Sequence, residues 1–314
     1  MNPTVSVHIV TYNSADDIEE CLNAVLEQSH PIDQIVIVDN ASSDDSADRV
    51  RSFAEQFSSK IIVVQNAINT GFAPAHNQAI GMTNSDYVLV LNPDVKLDSQ
   101  YVVRLIEYME RHPEVGSATG KLVLKSSLET VDSTGLVMNG IWRAFDRGAG
   151  EQASAYMKSG EVFGVSGAAA LYARRMIDDI SIQGEFFDAD FFAYKEDVDV
   201  AWRAEELGWR AYYCVDAFGT HERGWKKGDR KSRPIFIRKS SFINRYKMIY
   251  KNLSGVDWLK NLPKLLVYEV AIHGYILLRE PKVLSAWIGF WREFPVLRRK
   301  RWEIKRKRRE KGIG

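Results

Sequence analysis

Cysteine is scarce. The 314 residues include two, Cys21 and Cys214, which excludes a disulfide framework and a cysteine-built zinc site and fits a reducing compartment. Long apolar runs are missing too. The longest, Leu265 to Leu278, carries Glu269 and His273 and falls short of the roughly 20 mostly apolar residues that a membrane span needs. The opening MNPTVSVHIV has neither the basic segment nor the small-residue cleavage pattern of a secretory leader, so none is expected. No GxGxxG follows the first strand pattern and no GxxxxGK[ST] occurs, which removes the usual support for dinucleotide binding and for P-loop phosphoryl transfer. There is no internal repeat, and no low-complexity tract apart from the basic stretch Arg298–Lys311.

Charge of one sign is short in each part of the chain. In total 42 basic and 41 acidic residues leave a net charge of +1. Residues 1–221 carry 16 basic against 33 acidic side chains, and residues 222–314 carry 26 against 8, so the two parts stand at −17 and +18. The second part suits an anionic partner: a membrane surface, nucleic acid or a phosphorylated substrate. No nucleic-acid recognition motif accompanies that charge. With 45% hydrophobic and 26% charged residues the chain is neither disordered nor collagen-like. Its length suits about two domains, or one large α/β domain with an appendage.

What is present is an alternation of two periods. Val5–Val10, Ile35–Val38, Ile61–Val64 and Tyr87–Leu91 are apolar, β-rich runs, as expected of parallel strands covered on both faces. Helical segments separate them. Ser14 or Asn13 can cap the first, and Ile18, Leu22, Val25 and Leu26 follow at helical spacing. Ser43–Phe57 and Ala73–Thr83 read as the next two. This predicts a doubly wound α/β sheet, which binds ligands at the carboxyl ends of its strands. Residues 126–160 show little periodicity and read as a loop-rich, mobile insertion. Strands resume near Val162–Tyr172, a helix runs from about Lys195 to Leu207 with Gly208 as its stop, and from about Arg233 the pattern is helical, aromatic and basic.

Four predicted strand ends carry polar clusters: Thr11-Tyr12-Asn13, Asp39-Asn40, the stretch Asn66 to Asn77, and Asn92-Pro93-Asp94. Asp39 can accept a hydrogen bond from a base edge, with Tyr12 stacked beside it, or it can cap the helix that follows. Gly71 allows close backbone approach ahead of a helix N-terminus whose amides favour anions, while Phe72 enters the core. Further on, Lys195-Glu196-Asp197-Val198-Asp199 opens a helix with three acids. Asp199 has Arg203 at i+4 and should pair with it. Asp197 has only Val200 and Ala201 within helical reach, so its carboxylate needs another purpose.

The segments VSVHIVTYN, IVIVDNASSD, NTGFAPAHNQAI, VLVLNPDV, GVSGAAALY and FFDADFFAYKEDVDVAWRAEELGWR, with the region of His221, resemble a family 2 glycosyltransferase. The resemblance covers about residues 4–250, and NTGFAPAHN, NPD and EDVD together are similar to the rhamnosyltransferase-like branch that builds bacterial surface polysaccharides. It implies the GT-A α/β fold: a doubly wound, mostly parallel sheet with a C-terminal helical, basic extension. Residues 1–232 would form the catalytic domain, its donor half about 1–125 and its acceptor half about 126–232, and residues 233–314 the extension.

By the same resemblance the chain is an inverting transferase that moves L-rhamnose from dTDP-rhamnose to a lipid-linked or polysaccharide acceptor. A dTDP- or UDP-sugar donor would contact Thr11, Tyr12, Asn13, Asp39, Asn69, Gly71, Phe72, Asn77, Asn92 and Asp94. Asp39 would take the N3–H of uracil or thymine. Most such enzymes carry Asp-x-Asp where this chain has Asn92-Pro93-Asp94, which leaves Asp94, with His221, for Mg²⁺ or Mn²⁺. Asp197 would be the general base and Glu196 its understudy. Gly167, Trp225, Lys226, Lys227 and Arg230 would face acceptor or phosphate. The processive Gln-x-x-Arg-Trp motif is absent, so one or few sugars per acceptor are expected.

In the last third, Trp287, Phe290, Trp291, Phe294 and Trp302 are interleaved with Arg292, Arg298, Arg299, Lys300 and Arg301. Such a mixture suits a helix at an anionic membrane interface. The alternative is a helical subdomain packed on the catalytic domain with a solvated basic tail, and the membrane reading is preferred. The expectation is a cytoplasmic protein, peripheral on the inner face of the cell membrane. Two rivals are a sugar-phosphate nucleotidyltransferase, which wants a Gly-rich basic loop where Thr11-Tyr12-Asn13 stands, and a non-catalytic membrane- or polysaccharide-binding scaffold.

Overall fold

The four apolar runs become β1 (Val5–Thr11), β2 (Gln34–Asp39), β3 (Ile61–Gln65) and β4 (Tyr87–Leu91), joined through α1 (Ile18–Leu26), α2 (Ser46–Phe57) and α3 (Phe72–Gly81). The computed structural model describes residues 2–57, 60–222, 233–253 and 258–313. Further elements are β5 (Val95–Leu97), α4 (Tyr101–Arg111), β6 (Val115–Leu124), β7 (Ser127–Ser133), β8 (Leu136–Met138) and β9 (Ala144–Asp146). They continue with β10 (Gly160–Val162), β11 (Ala169–Ala173), α5 (Arg174–Ile180), α6 (Glu196–Glu206) and β12 (Arg210–His221). The extension holds α7 (Ile235–Asn252), α8 (Trp258–Arg279) and α9 (Ala286–Glu310).

Among the described residues ten strands form one sheet, ordered β10-β12-β6-β11-β4-β1-β2-β3, with β5 added to β12 and β7 to β6. β1 pairs in parallel with β2 and β4, β2 with β3, and β12 with β6, while β11 lies antiparallel between β4 and β6. Six strands therefore share one direction and end at one edge. Register keeps these ends level: Thr11 lies opposite Asp39, Asp39 opposite Gln65, and Ile9 opposite Leu91.

Both faces are covered, which is why the central strands are continuously apolar. Ile18, Leu22, Val50, Leu105 and Met109 from α1, α2 and α4 pack against Val5, Val7 and Ile9. Ala73, Met176, Ile177, Val200 and Ala204 from α3, α5 and α6 pack against Val88, Val90 and Tyr172. The chain is thus wound on both sides of the sheet.

Three expectations need correction. α1 starts at Ile18 rather than behind a side-chain cap at Ser14 or Asn13. The Ser14 carbonyl closes a turn with the amides of Asp17 and Ile18, and Asn13 Oδ1 instead accepts from the Ser43 amide at 2.8 Å. Residues 126–160 are rich in turns, as expected, but are not without sheet: β7 pairs with β6 and β8 pairs with β9. The polar Ser127-Leu128-Glu129-Thr130 half of β7 is exposed or half-buried, and strands of three residues are too short to show a period. The basic tail is not a solvated strand of charge but the last turns of α9, where Leu297, Lys300 and Ile304 are buried. Trp287 turns inward beside Tyr246, with ring centroids 4.7 Å apart, whereas Trp291 and Trp302 face outward.

Candidate active site

At the carboxyl edge of the six co-directed strands lies a cavity of about 590 Å³. Its wall draws on distant parts of the chain: Asn92 and Asp94 after β4, Asp146 at the end of β9, Gly167 before β11, Glu196 and Asp197 at the start of α6, and His221 at the end of β12. Phe72 and Phe145 supply apolar surface, and Arg233 and Ser241 bring in the C-terminal extension.

His221 joins two carboxylates. Its Nδ1 lies 2.7 Å from Asp132 Oδ2, and its Nε2 lies 3.2 Å from Asp94 Oδ1. Burial works against a charged ring here, but the bonds to Asp132 and Asp94 outweigh it and raise the imidazole to about 9. Asp94 Oδ1 is buried and, apart from its ion pair with His221, takes no hydrogen bond. A carboxylate oxygen left in that state beside an imidazole held from behind by a second carboxylate is a donor set suited to a divalent ion. Among the described residues no group of three or more His, Cys, Asp or Glu side chains is placed to hold a metal ion. Asp94 and His221 would therefore hold such an ion as two protein ligands, with substrate phosphate and water completing its shell, an arrangement that Mg²⁺ accepts.

Across the cavity wall, α6 begins from an unusual turn. Tyr194 and Lys195 both have left-handed backbone, at φ 72° and 79°, a conformation that costs energy for residues with a side chain. Asn244 of α7 is buried and donates to the carbonyls of Ala193 and Tyr194 at 3.1 and 2.9 Å. The turn delivers Glu196 and Asp197 to the helix N-terminus. Asp197 Oδ1 accepts from the Val198 amide at 2.8 Å and Oδ2 from the Gly167 amide at 3.3 Å, with part of the residue left accessible. Burial first, then the charge of Asp146, moves its carboxyl upward. Glu196 is buried, one of its oxygens has no partner, and burial followed by the charge of Asp197 pushes it up to about 8. Two adjacent acids at a cavity wall, both biased toward holding a proton, are equipped for proton transfer.

The expected ion pair of Asp199 with Arg203 exists at 3.0 Å, fully buried. Lys251 and Asn252 of α7 also bind Asp199, at 3.0 and 2.8 Å. Asp199 thus anchors α6 from behind while Asp197 faces the cavity.

The donor-side residues are more tightly tied to one another than their sequence suggests. Asp39 is wholly buried: Oδ1 accepts from Thr11 Oγ1 at 3.0 Å and Oδ2 from the Ser42 amide at 3.2 Å, a bond in the turn ahead of α2 and not its cap, since the Ser46 amide that opens α2 donates to Asp44 at 3.0 Å. Tyr12 is the exposed group beside it. The amides around Gly71 are not free for an anion. Thr70 N donates to Asn40, Gly71 N to Asn69 and Phe72 N to the Phe192 carbonyl. Gly71, at φ 93°, is required because a Cβ would stand 2.2 Å from that carbonyl. Asn77 clamps the backbone of Phe187, donating at 2.6 Å and accepting at 2.9 Å. Trp225, Lys226, Lys227 and Arg230 lie outside the described residues.

The model of the family described as Glycosyl transferase family 2 matches residues 6–181. The chain belongs to glycosyl transferase family 2. A poly-beta-1,6-N-acetyl-D-glucosamine synthase of Staphylococcus epidermidis is 22% identical over 279 residues, 81% of this chain and 62% of that protein. The Staphylococcus aureus (strain MSSA476) synthase is 26% identical over 211 residues, 65% of this chain and 46% of that protein. The chain thus spans about three fifths or less of these curated relatives. Among solved structures, a Pyrobaculum calidifontis mannosyltransferase with GDP-Man and Mn²⁺ superposes with a TM-score of 0.58 at 20% identity, covering 92% of this chain and 75% of that one. Staphylococcus aureus TarS with UDP-GlcNAc gives 0.59 at 18%, covering 91% and 79%. These likenesses establish the GT-A fold.

Two carboxylates of this family 2 chain's site, Asp146 in the cavity wall and Asp132 behind His221, escape a reading of its sequence. Asp132 and Asp146 both lie in the segment read as an insertion, where neither spacing nor period marks a carboxylate as functional. Asn244 sits in a helix whose apolar and basic pattern points only to packing.

Proposed function

We propose that this family 2 protein is an inverting glycosyltransferase that transfers a sugar from a nucleotide donor to a hydroxyl of a saccharide or lipid-linked acceptor in surface-polysaccharide synthesis. The observation that carries the reading is one cavity lined by both Asp197, with an oriented and upward-shifted carboxyl, and the Asp94–His221 pair, which Asp132 holds from behind. The Asp197 carboxylate takes the proton of the acceptor hydroxyl. The acceptor oxygen bonds to the anomeric carbon, and the bond from that carbon to the diphosphate breaks, its electron pair leaving with the nucleoside diphosphate. The amides of Gly167 and Val198 hold the carboxylate in line. A divalent ion at Asp94 and His221, Mg²⁺ or Mn²⁺, would supply positive charge for the leaving diphosphate.

The donor in this proposal is a pyrimidine nucleotide sugar, dTDP-rhamnose before UDP-sugars. The NTGFAPAHN, NPD and EDVD segments support rhamnose, and the place of Asp39 at the carboxyl end of β2, level with Thr11 and the exposed Tyr12 that follows it, supports a pyrimidine base. A lipid-linked acceptor places the enzyme at the cytoplasmic face of the membrane. Hydrolysis of a nucleotide-sugar panel, followed by transfer assays of Asp197→Asn, tests the reading. The variant keeps shape and hydrogen bonding but cannot take a proton, so transfer falls about 100-fold or more while donor binding persists. Near-normal turnover of Asp197→Asn with the true acceptor removes Asp197 as the base.

A further inference from the structure

α8 is amphipathic in the reverse sense. Its inward positions carry the polar groups: Glu269 accepts from Arg245 and from Tyr246 Oη, each at 2.6 Å, and His273 stacks on Trp287. Ile272 and Ile276 join them in the helical cluster. The outward positions are apolar. Leu266, Val267, Val270, Leu277 and Leu278 form one stripe at helical spacing, with Val267 73%, Val270 74% and Leu278 82% exposed. A stripe of that length facing water implies a cover.

Charge selects the cover. Lys264 flanks one end of the stripe, Arg279 and Lys282 the other, and all three side chains are exposed. Between Trp258 and Arg292 the acids are Glu269 and Glu280. Glu269 is taken by Arg245, and Glu280 is buried and bonded to Arg238 at 3.1 Å. Among the described residues of that stretch, neither carboxylate is left to oppose an anionic surface. After the stripe, the first turns of α9 expose Ile288 and Trp291. No helix among the described residues is long and apolar enough to cross a membrane, so the helix lies on its partner rather than through it.

We propose that α8 seats its outward stripe in the headgroup boundary of an anionic phospholipid bilayer, with Lys264, Arg279 and Lys282 on the lipid phosphates. The proposal goes beyond the transferase reading and does not rest on it, since it follows from the pattern of α8 alone. It also moves the membrane surface away from Arg298–Lys311, whose buried face is held by the protein itself.

The test is flotation of the full chain with vesicles of phosphatidylcholine, with and without phosphatidylglycerol, at low and high salt. The parent floats with the anionic vesicles and is released by salt, because exposed charges are screened within about 10 Å at 0.1 M. Val267→Glu with Val270→Glu lowers flotation about tenfold or more, because binding scales with the apolar area buried in the interface. Lys305→Gln with Arg309→Gln, on the tail, floats like the parent. Far-ultraviolet circular dichroism and thermal unfolding like the parent's show that the variants are folded. If the double variant does not fold, Leu278→Glu repeats the measurement at the most exposed position. Failure of the parent to float, or unchanged flotation of the stripe variants, overturns the proposal. So does a parent dimer that the stripe variants turn into monomer, since a second copy would then be the cover.

Discussion

At His221 the partner that decides its behaviour is 89 positions away in the chain. Asp132 holds Nδ1, so a neutral ring offers Nε2 toward Asp94, whereas a charged ring bridges both carboxylates. Replacing Asp132 by Asn removes the charge that orients the ring. Affinity for donor in the presence of Mn²⁺ should fall about 10- to 100-fold, the usual effect of losing such a support; calorimetry showing unchanged affinity would separate Asp132 from the metal-binding reading. Asp146 acts through charge on Asp197. The base must be ionised, so transfer rises as pH climbs through its pKa. Asp146→Asn takes away a neighbouring negative charge and lowers that pKa. The acidic limb of kcat/KM should therefore move to lower pH, and a limb that stays in place would show that Asp146 does not feel the base.

At the scale of elements, the start of α6 depends on α7. The left-handed pair Tyr194–Lys195 is held from the extension by Asn244, and Asp199 is held by Lys251 and Asn252. Asn244→Ala leaves two inward carbonyls without their donor, at a cost of about 1–3 kcal/mol in stability. It also frees the turn that aims Asp197, and a displacement near 1 Å can cost on the order of 100-fold in rate. We expect kcat to fall at least about tenfold with donor KM unchanged, while the stability loss shows separately in denaturant unfolding. Equal losses of kcat and donor affinity would mean that Asn244 supports the cavity in general and not the base. Asp39 shows the opposite lesson for an element end. Its place after an apolar strand suggests an accessible group, yet it is buried and bonded twice, so Asp39→Ala should cost stability as well as nucleotide affinity.

For the whole molecule, the basic end of the chain is a clamp on the acidic part. Lys300 is buried and reaches Asp188 at 2.5 Å and Asp190 at 2.7 Å, Lys251 reaches Asp188 from α7, and Arg308 meets Glu206 at 2.5 Å. Lys307 donates to the Asp179 carbonyl at 2.7 Å and Lys311 to that of Leu207 at 3.0 Å. Much of the −17 to +18 asymmetry is thus spent inside the protein. Lys300→Ala leaves a buried carboxylate short of a partner, and breaking such a pair costs about 3–5 kcal/mol. Thermal and denaturant unfolding should show it. Burial alone would raise the Asp188 carboxyl, but Lys251 and Lys300 hold it well below the usual range. A depressed carboxyl stabilises the fold above its unfolded pKa, near 4, and that contribution is lost as pH falls below this value. The parent should therefore weaken in acid more steeply than Lys300→Ala.

Read residue by residue, the chain already declared its strands, their polar ends and the Asp199–Arg203 pair, because each rests on contacts between near neighbours or on the need of a covered sheet for continuous apolar strands. Asp94 was recognisable as a candidate from its polar strand end and Asp197 from a carboxylate with no cation in helical reach, whereas His221 came only through the resemblance to family 2. Their assembly was not legible. Asp132 and Asp146 come from polar, aperiodic strands, and Asn244, Lys251 and Lys300 from helices that read as packing and charge. Whether a lysine is solvated or buried against a carboxylate over a hundred positions away, as Lys300 is with Asp188, depends on how helices dock, and docking is set by the shape of whole surfaces. Local pattern determined which elements exist and which of their ends are polar. Tertiary packing decided which carboxylates face one cavity, which cations are consumed in holding it, and which helix face is left outside.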